Sequence, residues 1–258
     1  IISPLSLGFY RWVIAFTILT PFCLPSSIKI FNKIKKQPLI FFLIILTGPT
    51  LFNTFIYLGL TSTKVINALL IVSTTPMLII LFNFLLFKIQ SSKIQFLGII
   101  ISLVGVSYVI TKGNYYNFFN SEFYGGDIFI ILAVICWAIY SIFLKKNETG
   151  IEGLSFLYIS FGFTVLFLFP IYLFDIFILN HSIVINPTSI LTIGYTGIFP
   201  SIFSYLFWNM GVTLIGANKS GPFLHLMPIF GGILAFLVFQ ETLESYHYVG
   251  IISVFLGI

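Results

Sequence analysis

The strongest constraint on this chain is a series of uninterrupted apolar stretches of about twenty residues, the length a helix needs to cross a hydrocarbon core ~30 Å thick. They run from residues 4 to 25, 39 to 60, 67 to 87, 94 to 111, 127 to 145, 153 to 175, 189 to 210, 220 to 239, and 246 to the end of the 258 residues. Apolar side chains do not alternate with polar ones inside them, so the stretches fit helices that close their own hydrogen bonds, not strands around a wet lumen. Charged residues make up 7% of the chain, against roughly 25% in soluble domains, and no water-soluble fold can bury the remainder. The connections at 26 to 38, 112 to 126 and 176 to 188 are too short to hold a separate core. The expected class is an all-α, multi-pass integral membrane protein.

The first stretch lacks a basic leader and a small-residue cleavage site, so it reads as a retained helix, not a secretion signal. Cys23 and Cys136 both lie inside apolar stretches and behave as small buried hydrophobes, with no disulfide framework or metal-ligand spacing. Threading the nine stretches alternately puts Lys29, Lys33, Lys35, Lys36, Lys88, Lys93, Lys145, Lys146 and Lys219 on one side, and only Lys64 and Lys112 on the other. Positively charged connections stay cytoplasmic, which orients the chain. Glu122, Asp127, Asp175, Glu241 and Glu244 then fall outside. The net charge of +5 follows from this topology, and no nucleic-acid partner is expected.

A displacement of 152 residues superimposes Gly59 on Gly211, Thr61 on Thr213, Pro76 on Pro228, Gly98 on Gly250 and Gly105 on Gly257 without a gap. Glycine and proline mark backbone positions, so their coincidence outweighs matches of Leu, Ile or Phe. The stretches beginning at 39, 67 and 94 pair with those beginning at 189, 220 and 246, and the first with that beginning at 153. The stretch from 127 to 145 has no mate, because its mate would precede Ile1. The expectation is therefore a truncated sequence that lacks one N-terminal helix of ten. Five helices per repeat is an odd number, which inverts the second copy in the bilayer, a transporter arrangement. The expected division is a first repeat over 1–112, an external connection over 113–126 and a second repeat over 127–258, its last helix cut short.

Candidate residues cluster where helices are interrupted. Pro76 and Pro228 each remove a helical hydrogen bond at membrane depth, giving either a packing kink or a broken helix beside a cavity. Ser73, Thr74 and Thr75 precede Pro76, and the displacement of 152 sets His225 opposite Ser73. Intramembrane histidine is costly unless paired or hydrated and marks a pathway, although interhelical bonding accounts for it equally well. Asn53 and Tyr57 are four apart, as are Tyr205 and Asn209, so each pair shares a helix face, as do Trp137 and Tyr140 at a spacing of three. Rings with polar tips suit a mostly dry cavity for amphipathic solutes, with an interfacial belt or plain helix packing as the alternative in a chain that is 19% aromatic. Arg11, the sole arginine, either snorkels outward along its stem or pairs with Glu241 as an outer gate or brace.

Three stretches, SPLSLGFYRW (3–12), GDIFIILAVICWAIYSIFLKK (126–146) and IGANKSGPFLHLMPIFGGILAFLVFQETLESYHYVG (215–250), resemble the EamA-type proteins of the drug/metabolite transporter superfamily. The resemblance implies a ten-helix inverted-repeat carrier in the cytoplasmic membrane, often an exporter of amino acids or other metabolites, with a cavity between its halves. One departure stands out: family members often end the fourth of the ten helices with an acidic residue, as Glu241 follows the eighth stretch here, the ninth helix of the ten, but at the matching place the sequence is Phe87, Lys88, Ile89, Gln90. No enzyme motif, P-loop or metal-ligand cluster is present, so neither an enzyme activity nor a cofactor is expected. The partners expected are a small-molecule substrate and the lipid bilayer, with self-association left open. Lipid or lipid-linked precursor flipping and a scaffolding role stand as alternatives to solute carriage.

Overall fold

A computed structural model describes residues 2–116, 122–146, 153–181, 186–239 and 244–258, with side chains undescribed at 26–33, 235, 236, 238 and 239. Every regular element among the described residues is helical. In chain order they are α1 (Pro4–Ile34), α2 (Pro38–Ile45), a π-helical segment (Leu46–Phe52), α3 (Asn53–Leu60), α4 (Val65–Val72), α5 (Thr75–Phe87), α6 (Lys93–Ile110), α7 (Gly125–Lys145) and α8 (Gly153–Phe177). There follow α9 (Pro187–Gly197), a second π segment (Ile198–Phe203), α10 (Ser204–Ile215), α11 (Ala217–Ser220), a 3-10 turn (Gly221–His225), α12 (Leu226–Phe239) and α13 (Ser245–Gly257).

Local chemistry sets these boundaries. Pro38 and Pro187 sit in the first turn of α2 and α9, where the missing N–H costs nothing. Ser92 and Gln95 close a reciprocal capping box at the start of α6. Lys88 ends α5 in the left-handed conformation, with φ of 57°. The first helix runs nine residues beyond the expected end at residue 25, through Pro21 and Pro25 to Ile34, and only Pro38, which disfavours helical backbone at Gln37, forces the restart.

Among the described residues seven helical segments are long and apolar enough to cross a membrane: Pro4–Pro25, Pro38–Leu60, Val65–Phe87, Lys93–Ile110, Gly125–Lys145, Gly153–Phe177 and Pro187–Ile215. They coincide with the first seven expected stretches. The eighth is divided into α11, the 3-10 turn and α12, and the ninth is the 13-residue α13. Large apolar side chains such as Ile94, Leu191 and Leu214 lie on the outside, which suits hydrocarbon and not water.

The chain forms two compact units, one from residues 1–58 and 139–214, the other from 59–138 and 215–258. In the first unit α1 lies along α8 through stacked rings, Phe9 on Tyr172 at 4.5 Å and Phe16 on Tyr158 at 4.8 Å. Near the start of α1, Ser3 and Ser6 both donate to the buried Asp175 carboxylate of α8, which His181 also contacts at 2.7 Å. In the second unit α6 lies against α13, with Gly98 facing the backbone of Gly257 and Gly105 facing that of Gly250. Val106, Val254 and Ile229 of α12 fill the seam beside them.

Candidate functional site

The first unit holds a buried polar network centred on Arg11. In a regular helix each N–H bonds four residues back, and the proline in each π segment, Pro49 and Pro200, disrupts that ladder. The widened turns release carbonyls and re-aim side chains at the head of the next helix. Ser201 donates to the Thr196 carbonyl at 2.8 Å, while Asn53 and Tyr205 are turned toward each other and bond at 2.8 Å, Asn53 Nδ2 donating to the Tyr205 hydroxyl.

Arg11 does not snorkel. Its side chain is 3% exposed and turns inward. Nη1 donates to Asn53 Oδ1 at 2.8 Å and to the Tyr57 hydroxyl at 2.7 Å, and Nε donates to Ser201 Oγ at 2.9 Å. The guanidinium carbon sits 4.7 Å from the Trp12 ring centre and 5.8 Å from that of Tyr57, a cation–π arrangement. Tyr140 donates to Asn209 Oδ1, and its ring lies 5.8 Å from that of Tyr205. Arg11, Asn53, Tyr57, Tyr140, Tyr205 and Asn209 are thus assembled in one place. Glu241, its expected partner, lies outside the described residues. Ser201 and Trp12 belong to the network without having been expected there; the one signal for Ser201 was its place directly after Pro200.

The second unit holds Ser73, Thr74, Pro76, Trp137, His225 and Pro228. Both prolines stand near the start of an α-helix, after an irregular turn, so the spans they occupy are broken and not merely bent. Pro76 has no N–H for the Val72 carbonyl, which accepts from Thr75 Oγ1 instead. The Met77 N–H bonds Thr74, which leaves the Ser73 carbonyl to His225: Nε2 donates to it at 2.8 Å. A carbonyl can only accept, so Nε2 carries a proton. Nδ1 meets Ser102 Oγ at 2.6 Å, and His225 is fully buried. Trp137 is buried on α7 and Pro228 half-buried on α12. Thr74 spends its hydroxyl on the Ile71 carbonyl, a local structural bond.

Sequence reasoning also passed over a carboxylate cluster. Asp127, in the first turn of α7, is 2% exposed. It accepts from the Thr63 hydroxyl, from Asn67 Nδ2 at 3.1 Å and from the Tyr124 backbone N–H at 2.9 Å. The sequence placed it only on the outer side; the facing Thr63 and Asn67 bury it. No group of His, Cys, Asp and Glu able to hold a metal ion occurs among the described residues.

Comparison with known proteins gives a consistent family. The model of the EamA-like transporter family matches residues 1–111 and 124–258. Among relatives, the uncharacterized transporter YyaM of Bacillus subtilis (strain 168) is 27% identical over 228 residues, covering 88% of this chain and 74% of the relative. An uncharacterized transporter of Archaeoglobus fulgidus is 24% identical over 257 residues, covering 100% of this chain and 87% of its own. A solved structure described as "Crystal structure of protein" aligns with a TM-score of 0.78 at 15% identity, covering 99% of this chain and 86% of that one; at that identity it speaks for the fold alone.

Proposed function

The chain belongs to the EamA-like transporter family, and from that premise we propose that this multi-pass membrane transporter is a secondary carrier, exporting amino acids or related amphipathic metabolites across the cytoplasmic membrane. In this reading two five-helix halves of opposite orientation alternate access to a site between matching helices, in the ten-helix architecture of inverted-repeat carriers. As a family of transporters it is not a family of enzymes, and the energy for movement comes from gradients or exchange.

The observation that carries the reading is a constant displacement within each unit. In the first, the π segments begin at Leu46 and Ile198, 152 residues apart, and the bonded pair Asn53 and Tyr205 has the same separation. In the second, Ser73 and His225 are bonded across the same separation. Gly98 meets Gly257 while Gly105 meets Gly250, which is the crosswise pattern expected when 98 corresponds to 250 and 105 to 257. In this reading, residues that correspond and also touch belong beside the axis that relates the two halves, where inverted-repeat carriers interrupt their helices and bind their cargo.

The test is reconstitution into proteoliposomes preloaded with single amino acids or central metabolites, followed by uptake of the same labelled solute. Saturable uptake accelerated by the internal solute is the expected result. Movement of a fluorescent lipid between leaflets without flux of any soluble solute would transfer the assignment to lipid flipping. Absence of both activities, together with a stable co-purifying protein, would support a scaffold instead.

A further inference from the structure

Arg11 carries a full positive charge in the interior of the first unit, and among the described residues no anion answers it. Its acceptors are all neutral: Asn53 Oδ1, the Tyr57 hydroxyl and Ser201 Oγ. An unneutralised buried ion is costly and persists where it serves a function. Nη2, the second arm of the guanidinium fork, makes no hydrogen bond among the described residues. Two further buried polar atoms of the same cluster are also without a partner there, Trp12 Nε1 and Asn209 Nδ2. All three are N–H donors, so what the cluster lacks is an acceptor.

The buried acids among the described residues differ from it. Asp175 is met by Ser3, Ser6 and His181, and Asp127 by Thr63, Asn67 and Tyr124. Both carboxylates are saturated. Among the described residues the guanidinium is the buried charge left open, and a planar fork with a free arm matches a carboxylate, whose two oxygens take charge-assisted hydrogen bonds. The rings of Trp12, Tyr140 and Tyr205 pack together beside it, offering apolar cover to the remainder of such a molecule.

We propose that the Arg11 cluster is the subsite that takes the carboxylate of the transported solute, so that the cargo is a carboxylate-bearing amphipathic metabolite anchored by Arg11 and the Trp12 indole N–H. The inference rests on the carrier reading. With Arg11 3% exposed, the carboxylate reaches it only when the helices part, a step that carriage requires in any case.

Discrimination between an acid and its amide tests it. Proteoliposomes of phosphatidylcholine alone, which supply no net anionic headgroup, are assayed for counterflow of each protein amino acid and its carboxamide. For the solute that moves, acid flux should exceed amide flux by about tenfold or more, the weight of a charge-assisted bond. Arg11→Gln should narrow that preference by lowering acid flux more than amide flux, and Arg11→Lys should keep part of it. Equal flux of acid and amide in the unaltered protein overturns the subsite and leaves the carrier reading standing, and this comparison holds even if the Arg11 variants do not fold. A loss of both fluxes to the same extent in a folded Arg11→Gln protein also overturns it, since that marks a structural brace. Competition by inorganic phosphate without discrimination between acid and amide does the same. No flux for any solute removes the carrier reading, and this inference with it.

Discussion

Replacing Gly98 by valine is expected to destabilise the protein by about 3 kcal/mol or more, through overpacking that the seam between α6 and α13 cannot relieve. A β-carbon at Gly98 would run into the carbonyl oxygen of Gly257, and one at Gly257 into the carbonyl of Gly98 and the backbone of Ser102. In both directions the obstacle is main chain and not the end of a mobile side chain, so the helices must separate. Separation would also loosen Val106, Val254 and Ile229. Lipid tails give helices no hydrophobic reason to associate, so close packing of small residues is what joins them. Gly231→Ala is the matched control, because nothing lies within 4 Å of a β-carbon there. It should be neutral or slightly stabilising, since alanine lowers the backbone entropy of the unfolded chain. Thermal unfolding in detergent distinguishes the two. Gly98→Val and Gly231→Ala melting together would mean that the glycine seam does not hold α6 to α13.

The first seven spans were legible because a bilayer imposes length and apolarity directly on sequence, and Pro76, Pro228 and three matched pairs of glycines stood out as backbone marks against a background of Leu, Ile and Phe. Asn53, Tyr57, Tyr205 and Asn209 were legible through spacing by four. The inward turn of Arg11 was not, since what decides between snorkelling and burial is whether oxygens face it from other helices, and Ser201 comes from a residue 190 positions away. Uniformly apolar helices also present no polar face to tell protein-facing positions from lipid-facing ones. That is why the burial of Asp127 and Asp175 was missed while their place at helix ends was read correctly. The π segments escaped for a related reason: a proline announces an interruption without saying whether the backbone will kink, tighten or widen. Pro49 and Pro200 widen it, and the widening is what brings Asn53 to Tyr205.

His225→Leu is the second substitution expected to cost heavily, about 3 kcal/mol, with loss of transport. The imidazole satisfies a carbonyl that the break in the helix at Pro76 has released, and it receives a second bond from Ser102. Leucine leaves the Ser73 carbonyl buried without a donor, at about 1–3 kcal/mol for the group, and fills the space differently. Ser102→Ala should cost less, because it deprives only Nδ1 of its partner while the bond from Nε2 to the Ser73 carbonyl remains. The causal claim is that proline and histidine are two halves of one device. Pro76→Ala restores an N–H opposite Val72 and lets the ladder close, so that the Met77 N–H can reach Ser73. In that background His225→Leu should cost markedly less than alone, a non-additive coupling of about 1 kcal/mol or more. The cycle is read from melting temperatures of the two single variants and the double variant. If the two costs simply add, histidine and proline are unconnected, and the broken helix is held by packing alone. If they couple, the break beside Pro76 is maintained by a single side chain from the matching helix, and transport rates in the Pro76→Ala background then report whether carriage needs the break or only the bond that spans it.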